Sequence, residues 1–240
     1  MTDNTPKLSV IVSTYNRPKY LMFIAQMLRN QEGIAVETIV SDDGTQGAGP
    51  DPSLVDLYLW RRDDGFHKGW CINQAIQMAS SEFCIFLDDD TLPKGPQWAL
   101  GHYNTLLEHD VSRGPFHIAR LNNEGIAVKK HSQIFGLPGT YYATTNTGMR
   151  RDTFIELGGL DDAFDGYYGY EDVDLGIRIK RAGLKVGYTG DDSVAVHVGK
   201  PYMFDENEQE DASLNKRNAR VMEEKWGAPV DELMQQSALE

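Results

Sequence analysis

An apolar run of five residues, Phe83-Cys84-Ile85-Phe86-Leu87, stops on three consecutive aspartates, Asp88-Asp89-Asp90. The run is too short for a helix and reads as a buried strand. A strand that delivers three carboxylates at its C-terminal end concentrates negative charge at the rim of a sheet. Carboxylates that close together cannot all ionise cheaply unless a cation sits among them. Oxygen ligands of this kind suit Mg²⁺ or Mn²⁺, which in turn hold phosphates. The triplet therefore reads either as a solvated acidic turn or as the metal site of an enzyme acting on a phosphorylated ligand.

The rest of the N-terminal half supplies the sheet. Leu8 to Thr14 (LSVIVST) is apolar or β-branched at nearly every position, as in a strand buried on both faces of a parallel sheet. Pro18 stands where a helix can begin, and Leu21, Ile24, Ala25 and Leu28 follow at helical spacing. Val36 to Val40 is a second strand, closing at Ser41-Asp42-Asp43-Gly44, and Leu57 to Trp60 is a third. Gly47, Gly49, Pro50 and Pro52 mark a loop between them. Trp70 to Ala79 carries a helix on Ile72, Ala75, Ile76 and Ala79. This alternation predicts an α/β fold with crossover helices. Ligands of such sheets bind beyond the carboxyl ends of the strands. Three of those ends carry polar clusters: Ser13-Thr14-Tyr15-Asn16-Arg17, Asp42-Asp43-Gly44 and the aspartate triplet. There is no GxGxxG after the first strand, which argues against a dinucleotide site, and no Walker A lysine loop.

The second half has a different texture. Val111 to Arg120 and Ile126 to Lys130 read as short strands joined by a turn at Asn122-Asn123-Glu124-Gly125. His131 to Thr147 reads as loop or irregular strand. Arg151 to Leu157 is a short helix stopped by Gly158-Gly159. Glu171 to Ala182 is a helix with Val173, Ile177 and Ala182 inward, ended by Gly183. Val186 to Tyr188 and Val194 to Val198 are strand-like, Arg217 to Trp226 is a terminal helix, and the tail after Gly227 is expected to pack loosely. We read residues 1–240 as a single domain: a first half over 1–110, a second over 111–227 and a tail over 228–240.

A net charge of -13 and a pI near 4.9 repel nucleic acid and anionic membranes and tolerate divalent cations. Cys71 and Cys84 both lie in apolar surroundings and read as buried free thiols of a reducing compartment. Met1 to Lys7 has no apolar segment of a signal peptide, and no stretch approaches the roughly 20 apolar residues of a membrane span. The expected location is cytoplasmic; oligomeric state is left open.

Seven segments, in order, resemble one known family. LSVIVSTYNRPKYL, IVSDDGT, and KGWCINQAI before FLDDDTLP are similar to the nucleotide-sugar half of the GT-A-fold glycosyltransferases, the large inverting family-two group. NTGMRRDTFIELGGLDDAF, GYEDVDLGIRIKRAG and VAVHVGK resemble its acceptor half, and also a galactosyltransferase and chondroitin-synthase type of C-terminal region. The resemblance implies a Rossmann-like, mostly parallel sheet with flanking helices and a smaller mixed sheet on the acceptor side. It implies that Ser13, Thr14, Tyr15 and Arg17 line the nucleotide pocket and that Asp43 accepts a hydrogen bond from the uracil of a UDP-sugar. Lys68 and Asn73 would lie along that donor, with a solvated surface lysine as the other reading of Lys68. Asp88, Asp89 and Asp90 match the DxD element, Asp90 ligating Mn²⁺ or Mg²⁺ and Asp88 or Asp89 holding ribose and sugar hydroxyls. His197 stands where a second metal ligand is expected, and reads equally as a core histidine of a β-run.

Glu171-Asp172 matches the catalytic pair, with Asp172 as general base, Glu171 as acceptor ligand and Asp174 next in line. The same pair is explained without chemistry by the preference of carboxylates for helix N-termini. Tyrosines in Gly166-Tyr167-Tyr168-Gly169-Tyr170 take the place of a tryptophan frequent in the family. The implied activity is transfer of a hexose or N-acetylhexosamine from a UDP-sugar to a hydroxyl, that of a glycan first. The competing readings are a nucleotidyltransferase acting on sugar phosphates and a non-catalytic nucleotide-sugar-binding module. The first is disfavoured by the lack of glycine in Ser13 to Arg17.

Overall fold

Leu8, Val10, Ile11 and Val12 are at most 1% exposed, because strand β1 (Lys7–Thr14) lies mid-sheet with parallel neighbours on both sides and helices over both faces. The computed structural model describes residues 5–45, 49–122, 125–130, 144–198 and 212–236. After β1 come α1 (Pro18–Arg29), β2 (Ala35–Asp42), β3 (Leu57–Trp60), α2 (Lys68–Met78), β4 (Phe83–Asp88), β5 (Thr91–Pro93) and α3 (Trp98–Glu108). Then follow β6 (Val111–Arg113), β7 (Phe116–Asn122), β8 (Gly125–Lys130), β9 (Thr147–Arg150), α4 (Arg151–Glu156), α5 (Glu171–Arg181), β10 (Val186–Tyr188), β11 (Ala195–Val198), α6 (Ala212–Trp226) and α7 (Val230–Gln236).

The seven-stranded sheet has the order β10-β6-β9-β4-β1-β2-β3, and a four-stranded sheet has the order β5-β11-β7-β8. In the large sheet only β9 runs antiparallel to its neighbours, β4 and β6. The small sheet is mixed: β11 is parallel to β7 and antiparallel to β5. The two-residue period of the strands builds two cores. Leu8, Val10 and Val12 of β1 join Ile85 and Leu87 under Leu21, Ile24, Ala25 and Leu28 of α1 and Trp98 and Leu106 of α3. Ile11 joins Cys84 and Phe86 on the other face, under Ile72, Ala75 and Ile76 of α2 and Leu175 and Ile179 of α5. Burial of this many aliphatic side chains, at about 1.5–3 kcal/mol each, dominates the stabilisation.

The first half keeps the expected α/β alternation but adds two elements the sequence reading did not assign, β5 and α3, and the second half departs from expectation at several points. The single strand over Val111 to Arg120 is two strands in different sheets, broken at Gly114-Pro115. A Cβ on Gly114 would lie 2.3 Å from the Asn146 side chain, so only glycine fits that corner, and Pro115 has no N–H for a ladder. β9 begins at Thr147, the last residue of the expected loop or irregular strand, and runs through residues the sequence reading left unassigned; its glycine, Gly148, lets it press against β4, where a Cβ would meet Ile85 at 2.3 Å. Most of the expected His131 to Thr147 loop lies outside the described residues, as do the centre of the Asn122 to Gly125 turn and Gly47. Ala182 is exposed beyond the end of α5, although Val173 and Ile177 are buried as expected. The tail is not loose: α7 packs Leu233, 0% exposed, into a third cluster with Phe164, Val173, Ile177 and Met222. Cys71 and Cys84 are buried free thiols. No helix among the described residues is long and apolar enough to cross a membrane.

Candidate active site

The pairing of β1 with β4 puts Ser13 opposite Asp88, so both strand tips end at one rim. There the three aspartates diverge. Asp88, last in β4, accepts from Lys68 Nζ at 2.7 Å and from Ser13 Oγ at 3.3 Å. Asp89, 6% exposed, accepts from Thr14 Oγ1 at 2.8 Å, from the Tyr15 backbone N–H at 3.2 Å and from Arg17 at 3.0 Å. Burial pushes its carboxyl up to about 6, against the pull of Arg17 and Thr14. Asp90 takes the same Arg17 nitrogen at 2.5 Å and faces His197 Nε2 at 3.4 Å. His197 reaches it because β11 pairs with β5, directly opposite Thr91. Asp89 thus fastens the turn after β1, whereas Asp88 and Asp90 face outward to two different partners.

Glu171 and Asp172 open α5, whose preceding residue Tyr170 adopts a left-handed backbone (φ 73°). Acidic residues suit this end of a helix, and basic Arg178, Lys180 and Arg181 suit the other. Burial here goes beyond a capping role. Glu171 is 6% exposed, and its Oε2 has no hydrogen-bond partner among the described residues. Burial first, and then Asp172 and Asp88 nearby, raise the Glu171 carboxyl above its ordinary range, with Lys68 pulling the other way. Asp172 is raised by burial and by Asp88, again against Lys68. Burial opposes the charge on Lys68, but the carboxylates of Asp88, Glu171 and Asp172 outweigh it and hold the ammonium firmly protonated. Lys68 is only 19% exposed, so it is not a solvated surface lysine.

The third strand tip stands to one side. Asp42 is structural: it accepts from Tyr58 and from the N–H groups of Gly44 and Thr45. Asp43 accepts from Arg61 Nη1 at 2.9 Å and from the His67 N–H at 2.6 Å, just ahead of α2. The N-terminus of α2 is capped from afar by Asp165, which accepts from the Gly69 and Trp70 N–H groups at 3.2 and 3.1 Å. Tyr15 donates its hydroxyl to Asp63 at 3.0 Å.

The fold therefore gathers Ser13, Lys68, Asp88, Glu171 and Asp172 around one ammonium, and Thr14, Arg17, Asp89, Asp90 and His197 beside them. Asn73 is placed elsewhere. Its amide donates to Leu160 O at 2.7 Å and accepts from Leu160 N at 2.9 Å, and it lines a surface cavity with Asp161, Arg178 and Lys225. Asp174 is also turned away: fully buried, it pairs with Arg178 and Lys225. Arg61, His67 and Asp165 were not anticipated. Only Asp165 left a trace in the sequence, in a Gly/Tyr/Asp-rich loop.

Known proteins resemble this chain in the same order of segments. A family model described as glycosyl transferase family 2 matches residues 9–158, and one described as the N-terminal domain of galactosyltransferase matches residues 127–206. Hyaluronan synthase of Pasteurella multocida is 27% identical over 85% of this chain and 26% of its own length. Validoxylamine A glucosyltransferase of Streptomyces hygroscopicus subsp. jinggangensis is 25% identical over 76% of this chain and 53% of its own. The chain thus spans about a quarter to a half of these relatives. A crystal structure of S. aureus TarS in complex with UDP-GlcNAc superposes with a TM-score of 0.61 at 18% identity, over 81% of this chain and 59% of that one. The shared architecture is the GT-A, Rossmann-like fold. With residues 9–158, more than half of its length, matched to that model, the chain belongs to glycosyl transferase family 2.

Proposed function

We propose that the protein transfers a hexose or N-acetylhexosamine from a UDP-sugar to an acceptor hydroxyl, with inversion and with the help of Mn²⁺ or Mg²⁺. The observation that carries this reading is the placing of buried Glu171 and half-buried Asp172, both with raised proton affinity, next to a lysine that also grips the strand-tip Asp88. Asp172 takes the proton of the acceptor hydroxyl. A carboxylate whose affinity for protons is raised by burial is a better base near neutrality than an exposed one. Glu171, with Oε2 unpartnered, receives a hydrogen bond from the acceptor. Lys68 and Ser13 hold Asp88 toward the sugar, and Arg17 fixes the turn that borders the nucleotide. Asp43, already held by Arg61 and the His67 N–H, borders the base-binding side.

The residues present fit a divalent cation. Asp90 Oδ1 and His197 Nε2 converge at 3.4 Å, an oxygen and an imidazole nitrogen of the kind Mn²⁺ accepts. No group of three or more ligand side chains gathers among the described residues. A Mg²⁺ or Mn²⁺ held by Asp90 and His197 would be completed by substrate phosphates. Such an ion, when bound, supplies charge neutralisation of the leaving diphosphate. TarS has been crystallised with UDP-GlcNAc, and a relative is named a glucosyltransferase; both names favour a nucleotide-sugar donor of this class. The acceptor we assign is a glycan hydroxyl, and the acidic surface disfavours nucleic acid.

Asp172→Asn tests the assignment. Calorimetry with UDP and Mn²⁺ is expected to give unchanged affinity, and sugar transfer is expected to vanish. Undiminished turnover by this variant would remove Asp172 from its role.

A further inference from the structure

Helix α6 reaches the active-site rim through a single buried amide. Asn218 is 0% exposed, and the two hydrogens of its Nδ2 are shared among Phe164 O at 3.0 Å, Tyr167 O at 3.0 Å and Gly169 O at 2.8 Å. These carbonyls belong to the loop that ends at Glu171 but lie about fifty residues upstream of Asn218 in the chain. One amide that gathers three carbonyls of an irregular segment replaces the ladder such a segment lacks, since buried carbonyls without partners are costly. Arg217 completes the clasp. It donates to Ala163 O at 2.5 Å and to Asn218 Oδ1 at 2.7 Å, and lies over the Tyr167 ring at 5.1 Å.

The clasped loop has three connections to the site. Asp165 caps α2, whose first residue is Lys68. Gly166 donates to Phe66 O at 2.6 Å, and Tyr168 meets the Phe66 ring edge-on at 5.4 Å, leaving Tyr167 and Tyr168 about half exposed. Tyr170, in its left-handed turn, hands the chain to Glu171. We propose that Asn218 is a positioning residue: through the carbonyls of Phe164, Tyr167 and Gly169 it sets the tyrosine loop, and with it the acceptor side of the site. This rests on the proposed sugar transfer.

The variants are Asn218→Asp, which keeps the shape but presents a carboxylate to three carbonyls, and Arg217→Ala, which removes the outer half of the clasp at an exposed position. Acceptor KM is expected to rise by about tenfold or more in Asn218→Asp and less in Arg217→Ala, roughly one charged or shared hydrogen bond's worth. Affinity for UDP with Mn²⁺, read by calorimetry, is expected to stay at the unaltered value. Amide exchange across residues 166–170 is expected to quicken while α5 beyond its first turn stays protected. An unchanged acceptor KM in both variants overturns the inference, and so does a parallel loss of UDP affinity, which marks a general structural defect. If Asn218→Asp does not fold, Arg217→Ala alone decides by the same readouts. If the unaltered chain transfers no sugar, the functional reading fails by itself. Amide exchange then judges the clasp: quickened exchange at 166–170 keeps it, and unchanged exchange removes it.

Discussion

Replacing Lys68 by methionine isolates the charge that holds the site together. The stem stays about the same length and the ammonium goes. In the unaltered protein Nζ lies 2.7 Å from Asp88 Oδ1, with the side chains 19% and 27% exposed. At an effective dielectric constant of about 20, opposite charges 4 Å apart attract by about 4 kcal/mol, and each 1.36 kcal/mol is one pKa unit, so about 3 units is the ceiling for a carboxylate at that distance. Solvent rearrangement in a site open on one side reduces this, and a shift of about 1–2 units falls within the range seen for a single neighbouring charge. The sign is fixed by the neighbours. Burial already raises Glu171 and Asp172 while Lys68 lowers them, so without Lys68 both move further up.

A base that must be ionised to act then becomes available only at higher pH. The acid limb of kcat/KM for transfer is expected to move to higher pH by about 1–2 units in Lys68→Met. Stability follows the same protons. Carboxyls whose folded pKa is raised bind more protons folded than unfolded, so stability falls as pH climbs from the ordinary carboxylate range toward neutrality. That fall is expected to be steeper in Lys68→Met. The assay is a pH profile of initial rates at low acceptor concentration, paired with thermal unfolding over the same pH range. Superimposable acid limbs would refute the reasoning, because they would mean that Lys68 does not set the ionisation of the pair.

Three further outcomes are expected. Asp90→Ala should weaken UDP binding in the presence of Mn²⁺ and leave metal-free binding little altered, and calorimetry with and without the cation checks this. Asp174→Ala should destabilise the fold by about 3–5 kcal/mol, because it leaves Arg178, Lys225 and the Trp226 N–H facing an emptied buried site; denaturant unfolding measures it. Burial pushes the thiols of Cys71 and Cys84 up to about 12, so both should resist a thiol reagent at pH 8 in the native protein and react once it is unfolded.

The parts of the site that were legible in the sequence are those where periodicity and chemistry coincide. Leu21, Ile24, Ala25 and Leu28 announce α1 by spacing, and all four are buried. The run Phe83 to Leu87 announces β4, and the aspartates after it must lie at its tip. Glu171-Asp172 marks a helix start, but sequence alone gave no way to choose between a cap and a catalytic pair. What the sequence could not supply is the neighbourhood: the burial of Glu171, and Lys68, which arrives from a helix about a hundred residues away. The triplet itself was legible only as a unit. Its members separate because a strand tip and a turn point successive side chains in different directions, sending Asp89 inward to the turn after β1 and Asp90 out to β11.

What stayed hidden has a common cause. β9, Thr147–Arg150, offers a single apolar side chain, Met149, and is buried largely by the strands it slips between. Asn73 sits in the helix expected to flank the donor, yet its amide serves a backbone turn at Leu160, a partner no spacing rule supplies. Asn218 is a single amide on a helix crowded with charges, and its value lies wholly in three carbonyls brought to it by the fold.

The charge balance at the rim joins these observations. Five carboxylates, Asp88, Asp89, Asp90, Glu171 and Asp172, face two cations, Lys68 and Arg17. The fold tolerates the surplus in two ways: burial lets Asp89, Glu171 and Asp172 keep protons longer, and the two cations are each shared by more than one carboxylate. A diphosphate adds further negative charge and would meet repulsion from such a surface. Under the proposed reading the surplus is the reason a divalent cation is required, and Asp90, nearest to His197, is where it enters. Lys68 keeps Asp88, Glu171 and Asp172 in one electrostatic unit. The proposed donor and acceptor sides would thus be joined through one ammonium, and the tyrosine loop that Asn218 clasps closes the same circuit from the opposite end, by capping the helix on which that ammonium stands.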